Sequence, residues 1–210
     1  MTQALYAPWP DTARRTWGWG ALGLMIAGYL ASSVPVVVGT VIYTIVHTVS
    51  SGNTDPLAAQ RALSENTLSV LLPLMLTQFI TWAILTLLWV KLFEKRPLAT
   101  IGLNGKGFIG RYLLGLPLGL LLVVLVSVAA SLLSLSGGSA PEALGELDPS
   151  RALGQAALMA YAGLFLGFLI QGGVEELVFR GWLMSALTAR WGKPVGVFVA
   201  SFAFALLHAH

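Results

Sequence analysis

The chain contains no cysteine, which excludes a disulfide framework, a thiol nucleophile and a thiolate-bound metal. Charge is also scarce: 10% of the 210 residues are charged against 56% hydrophobic, with a mean hydropathy of +0.79. A soluble domain carries about a quarter charged residues, so this composition belongs to a membrane protein. Histidine occurs three times. That is too few to mark a three-ligand zinc site, and no H-E-x-x-H helix is present. No basic stripe with interleaved aromatics occurs, so nucleic acid is not an expected partner despite the formal charge of +3. Glu, Asp, His, Ser and Tyr remain to carry any chemistry.

Long apolar runs make up most of the chain. Residues 1–16 form a polar tail ending in Arg14-Arg15, expected on the cytoplasmic side, and 17–210 form the membrane domain. A first run extends from Trp17 to about Val49 and contains Pro35. It exceeds the roughly 20 residues needed to cross the hydrocarbon, so it must tilt, kink or extend beyond the bilayer. His47, at its far end, has no acidic or histidine neighbour in sequence and is expected to be structural. Residues 50–67 read as a loop with a short polar helix. The second run, Leu68 to Phe93, has Gln78 as its one strongly polar interior residue, suited to a helix–helix hydrogen bond.

Lys91, Lys95, Arg96, Lys106 and Arg111 then cluster, and are expected to form a solvated face near anionic headgroups. A third run spans Tyr112 to about Leu135, followed by an acidic loop with Glu142, Glu146 and Asp148. The fourth, Ala152 to Ile170, carries small residues Ala156, Ala160, Gly163 and Gly167 that permit close helix approach. Gly172-Gly173 is expected to interrupt or bend it. The segment continuing to Arg190 is expected to be partly embedded and to return to the same face. After a turn at 191–194, a last run reaches His210.

This predicts an all-α, polytopic membrane helical bundle of about five spans plus a partly embedded catalytic helix. Of the twelve Lys and Arg residues, ten then fall on the inner side and only Arg61 and Arg151 on the outer, as expected for a cytoplasmic N-terminus. A bacterial plasma membrane is the expected location, with membrane lipids as partners.

Within the apolar sequence, Gln171-Gly172-Gly173-Val174-Glu175-Glu176-Leu177-Val178-Phe179-Arg180 stands out. Charged side chains at bilayer depth cost a few kcal/mol each, so they face a bundle interior or a wet cavity. On a helix Glu176 and Arg180 are i and i+4 and share a face, which allows an ion pair, while Glu175 is rotated by roughly 100° and stays available. An unpaired carboxylate in low dielectric suits a general base. In the last run Phe204 and His208 also stand at i and i+4, but a lone histidine in an apolar helix is more often a hydrogen-bonded structural residue.

Taken together, these motifs resemble the CPBP family, the CAAX prenyl protease and bacteriocin-processing proteins also called Abi. Glu175-Glu176-Leu177-Val178-Phe179-Arg180 matches its E-E-x-x-x-R motif and Phe204-Ala205-Leu206-Leu207-His208 its F-x-x-x-H motif, with Glu175 and His208 33 positions apart. The resemblance covers residues 152–210. It implies an intramembrane endopeptidase in which Glu175 activates water, His208 assists, Glu176 and Arg180 shape the site electrostatically, and Phe204 contributes to substrate binding.

Later helices of the family carry a further histidine followed by a polar residue, thought to serve the oxyanion. The last run here stops at His210 without a polar flank, and the expectation is that the natural chain is longer. Glutamate-activated water without a metal cofactor is favoured, with a divalent ion such as zinc left open. The expected substrate is a membrane-associated peptide or protein. The alternative is a non-catalytic membrane partner, such as a bacteriocin self-immunity or scaffold protein, that holds a peptide in the same cavity.

Overall fold

A computed structural model of the chain describes residues 10–103 and 155–209, together with short stretches between 110 and 128. All regular structure among these residues is helical. The chain divides into two compact units, residues 1–103 with 159–210, and residues 104–158. In the second, residues 113–115 and 117–122 are helical. Residues 129–135 of the expected third span, the acidic loop, Lys106 and Arg111 lie outside the described residues, as does His210.

In the first unit, α1 (Gly18–Ser51) and α3 (Leu72–Leu88) form the first two spans. The second span is extended by π-wound turns at Thr67–Leu71 and Trp89–Phe93. Between them, α2 (Pro56–Glu65) is the short polar helix. Its start is set by Asp55, whose carboxylate accepts the Leu57 amide at 3.0 Å, and by Pro56 in the first turn, where a missing N–H costs nothing. Gln78 makes the expected interhelical bond, donating to the Ser33 hydroxyl at 2.9 Å.

The C-terminal region departs from expectation in its winding. Gly172-Gly173 does not interrupt the helix: α4 (Gln155–Glu175) continues through it and passes into a π-wound segment, Glu176–Leu183, and then α5 (Met184–Trp191). The presumed fourth span and the glutamate-bearing helix are therefore one rod, whose stretch Ala162–Trp191 is long and apolar enough to cross a membrane. The physical reason is that backbone groups in hydrocarbon must be satisfied within the segment, so two glycines alone do not end a helix there. Gly192, with φ 83°, makes the turn into α6 (Lys193–Leu207).

Gly18–Ser51 and Leu68–Phe93 also have the length and apolarity to cross a membrane. The core forms around the π-wound segment, where Val178, Phe179, Trp182 and Leu183 pack with Met25, Trp82, Val90, Ile101 and Leu187. Leu72 rests on the bare faces of Gly163 and Gly167, so these small residues do bring α3 and α4 together.

Hydrogen bonds gather three chain segments at one end of this unit. The Arg14 amide donates to the Glu94 carbonyl at 2.9 Å, and the Arg190 guanidinium donates to the carbonyls of Arg15 and Thr16 at 2.7 and 3.2 Å. Lys91 and Lys95 are exposed there, as expected. Arg96 is not part of a solvated face: it is buried and ion-paired with Glu94 at 2.7 Å. Arg180 lies ten residues before Arg190 in the same rod.

Candidate active site

Glu175 is the last residue before the π-wound segment and is buried. It lies about 20 Å along the rod from Arg190 at the usual rise per residue. The turn at Gly192 sends α6 back alongside α5, which returns His208 to the level of Glu175. His208 Nε2 stands 3.7 Å from Glu175 Oε1. Two groups 33 positions apart in sequence thus face each other across a helical hairpin.

Each partner is held by its own helix. His208 Nδ1 lies 2.9 Å from the Phe204 carbonyl. Because a carbonyl only accepts, Nδ1 carries the proton in this contact, and in the neutral ring Nε2 presents its lone pair toward Glu175. Glu175 Oε1 accepts a hydrogen bond from Gln171 Nε2 at 3.1 Å. Gln171 had no role assigned from sequence, although its i, i+4 spacing to Glu175 is the signal that could have found it. The separation of 3.7 Å exceeds a direct hydrogen bond, and such a gap between polar atoms suits a bridging water.

Glu176 and Arg180 form the expected i, i+4 ion pair, with both side chains more than half exposed. The Arg180 guanidinium lies 5.5 Å from the Phe204 ring centroid, where the electron-rich face of the ring attracts it. Phe204 also stacks at a tilt on His208, with centroids 4.4 Å apart, and meets Phe179 edge-on at 5.3 Å. This aromatic chain links the imidazole to the buried core. All five expected residues, Glu175, Glu176, Arg180, Phe204 and His208, therefore belong to one cluster. As metal donors, Glu175 and His208 offer one carboxylate and one imidazole. Among the described residues no group of three or more acidic or histidine side chains is close enough to hold an ion.

A narrow groove runs up to Gln171 between α3 and α4, lined by Leu72, Met75, Phe79, Leu164 and Phe168. Its walls are apolar, so the polar end of Gln171 is its chemical landmark.

A buried carboxylate and an imidazole thus face each other inside a helical membrane bundle. Residues 157–210, which hold every residue of this cluster, match the family described as Rce1-like, type II CAAX prenyl endopeptidase. The likeness to that family is confined to this segment, and with three helices of spanning length among the described residues the chain is an integral membrane protein. Comparisons with curated proteins and with solved structures gave no match.

Proposed function

We propose that the chain is an intramembrane endopeptidase that hydrolyses a membrane-associated peptide with water activated by Glu175. The observation that carries this reading is the 3.7 Å approach of His208 Nε2 to Glu175 Oε1 within the segment that matches an endopeptidase family. A water between these atoms donates one hydrogen to the carboxylate and the other to the bare imidazole nitrogen. As it attacks the scissile carbonyl carbon, Glu175 takes its proton, and the carbonyl π electrons move onto oxygen to give a tetrahedral anion. Collapse of that anion breaks the C–N bond, and the proton held by Glu175 passes to the departing amine.

His208 aligns the water by accepting one of its hydrogens at Nε2. Gln171 donates to Oε1 and so fixes the orientation of the carboxylate toward the water. The Glu176–Arg180 pair places compensated charge beside Phe204 without competing for Glu175.

The test compares new peptide N-termini in bacterial membranes that contain the chain, its Glu175→Gln variant or its His208→Gln variant. Cleavage products should appear with the unaltered chain alone. Products that persist in both variants would reject the assignment. Protection from a bacteriocin that survives Glu175→Gln would favour the non-catalytic partner instead.

A further inference from the structure

Far from the acid–imidazole cluster, at the end of the second span, lies a second buried polar group with no part in the chemistry above. Glu94 and Arg96 have fully buried side chains and pair at 2.7 Å. Lys95 between them adopts φ 52°, a left-handed backbone state that residues with a Cβ seldom occupy. With Lys95 exposed in this state, both of its neighbours are buried. Thr16 donates to Glu94 Oε1 at 2.6 Å, and Trp89 Nε1 donates to Thr16 at 3.0 Å. Two charges withdrawn from water are costly, and a fixed register is the best-attested return for keeping them.

The register concerned is that of the rod. Arg96 Nη1 donates to the Thr100 hydroxyl at 3.2 Å and to the Ser185 hydroxyl at 3.0 Å. Ser185 lies in the first turn of α5 and donates in turn to the Trp182 carbonyl at 2.8 Å, inside the π-wound segment. At the same joint the Met184 amide donates to the Phe179 carbonyl, five residues back. A Cβ at position 181 would stand 2.6 Å from the Ile101 carbonyl oxygen, so the turn Leu98–Ile101 lies directly against the joint.

Everything beyond the joint moves with it. A Cβ at Gly196 would stand 2.6 Å from the Thr188 nitrogen, so α5 and α6 touch backbone to backbone and behave as one hairpin. His208 rides on that hairpin, while Glu175 sits on the other side of the joint. The winding of residues 176–183 therefore sets how the imidazole meets the carboxylate, and wide helical turns of this kind recur at functional sites.

The geometry points to Arg96 and Ser185 as positioning residues: through the Trp182 carbonyl they hold the winding that brings His208 to Glu175. The catalytic consequence rests on the protease reading, whereas the geometric one does not.

The absence of native cysteine permits a direct measurement. In the full chain in lipid vesicles, Glu175→Cys and His208→Cys are introduced together, and the rate of their joining by a short thiol-specific crosslinker is followed. Adding Ser185→Ala, which removes one buried hydroxyl, should slow the joining about tenfold, the worth of one such bond. Adding Ser185→Thr, which keeps the hydroxyl, should leave the rate near that of the parent pair. Arg96→Lys, which keeps the charge but loses the planar fork, should behave like Ser185→Ala.

In the chain with Glu175 and His208 intact, Ser185→Ala should lower kcat on the order of tenfold with KM unchanged, a misalignment rather than a binding loss. Equal joining rates for Ser185→Ala and the parent pair would overturn the proposal, as would a Ser185→Thr variant as slow as Ser185→Ala. Should Arg96→Lys fail to fold, the two Ser185 variants still decide. If no variant of the chain cleaves any peptide, the protease reading fails while the joining rates still judge the positioning role.

Discussion

Glu94 with Arg96 and Glu176 with Arg180 are chemically the same pair, yet the first has no exposed side-chain surface and the second is more than half exposed on both partners. The first pair is surrounded by Thr16, Thr100 and Ser185, each supplying a hydrogen bond. Burial pulls the Arg96 guanidinium below its ordinary pKa, while the charge and hydrogen bond of Glu94 push it back up. The second pair is made within one helix and borders Phe204 and the acid–imidazole cluster. One pair holds segments of the unit together; the other places charge beside the Glu175–His208 cluster. Identical residues thus do different work because burial, not identity, sets what breaking them costs.

That contrast makes separable predictions for rate and for stability. Glu175 belongs to neither pair, and Glu175→Gln should reduce peptide cleavage on the order of 100-fold or more, with little change in unfolding temperature. Retention of cleavage by a folded variant would mean that the base lies elsewhere.

Next in size is the buried pair. Glu94→Ala leaves Arg96 uncompensated and should cost about 3–5 kcal/mol in unfolding measurements in detergent. The double variant Glu94→Leu, Arg96→Met should recover most of that loss, and failure to recover would show that the neutral partners, not the ion pair, carry the stability.

A smaller effect on rate is expected at Gln171. Gln171→Leu should lower kcat about tenfold, consistent with one hydrogen bond to a charged group, and leave unfolding unaltered. An unchanged kcat would remove Gln171 from the list of groups that orient Glu175.

Smallest of all is the stability effect at the exposed pair, where Arg180→Gln should alter unfolding by less than about 1 kcal/mol even as cleavage falls. A loss as large as that of Glu94→Ala would erase the distinction between the two pairs.

Much of this organisation is legible in the residues. The first two spans, the polar helix after Asp55, the Gln78 contact and the Glu176–Arg180 pair all follow from hydropathy or from i, i+4 spacing, which are local properties. The Glu94–Arg96 pair is not legible in that way. An i, i+2 pair in a loop beside Lys91 and Lys95 reads as solvent-facing, and only a left-handed Lys95 and partners 78 and 89 positions away bury it. The glycine pair misleads for a related reason. Gly172-Gly173 weakens a helix in water, but the winding changes after Glu175, where Gly181 lies against the Ile101 carbonyl and Trp182 and Leu183 are buried.

By itself the sequence determined that the chain is helical and membrane-embedded, and that a free carboxylate, a paired carboxylate and a histidine stand at fixed spacings in apolar helices. Those properties depend on side chains a few residues apart and on transfer from water. Only the tertiary structure decided that the histidine returns to 3.7 Å from Glu175, that the rod is continuous, and that a buried ion pair braces its joint. Each of these depends on backbones touching across long stretches of chain, where packing rather than local preference chooses the outcome.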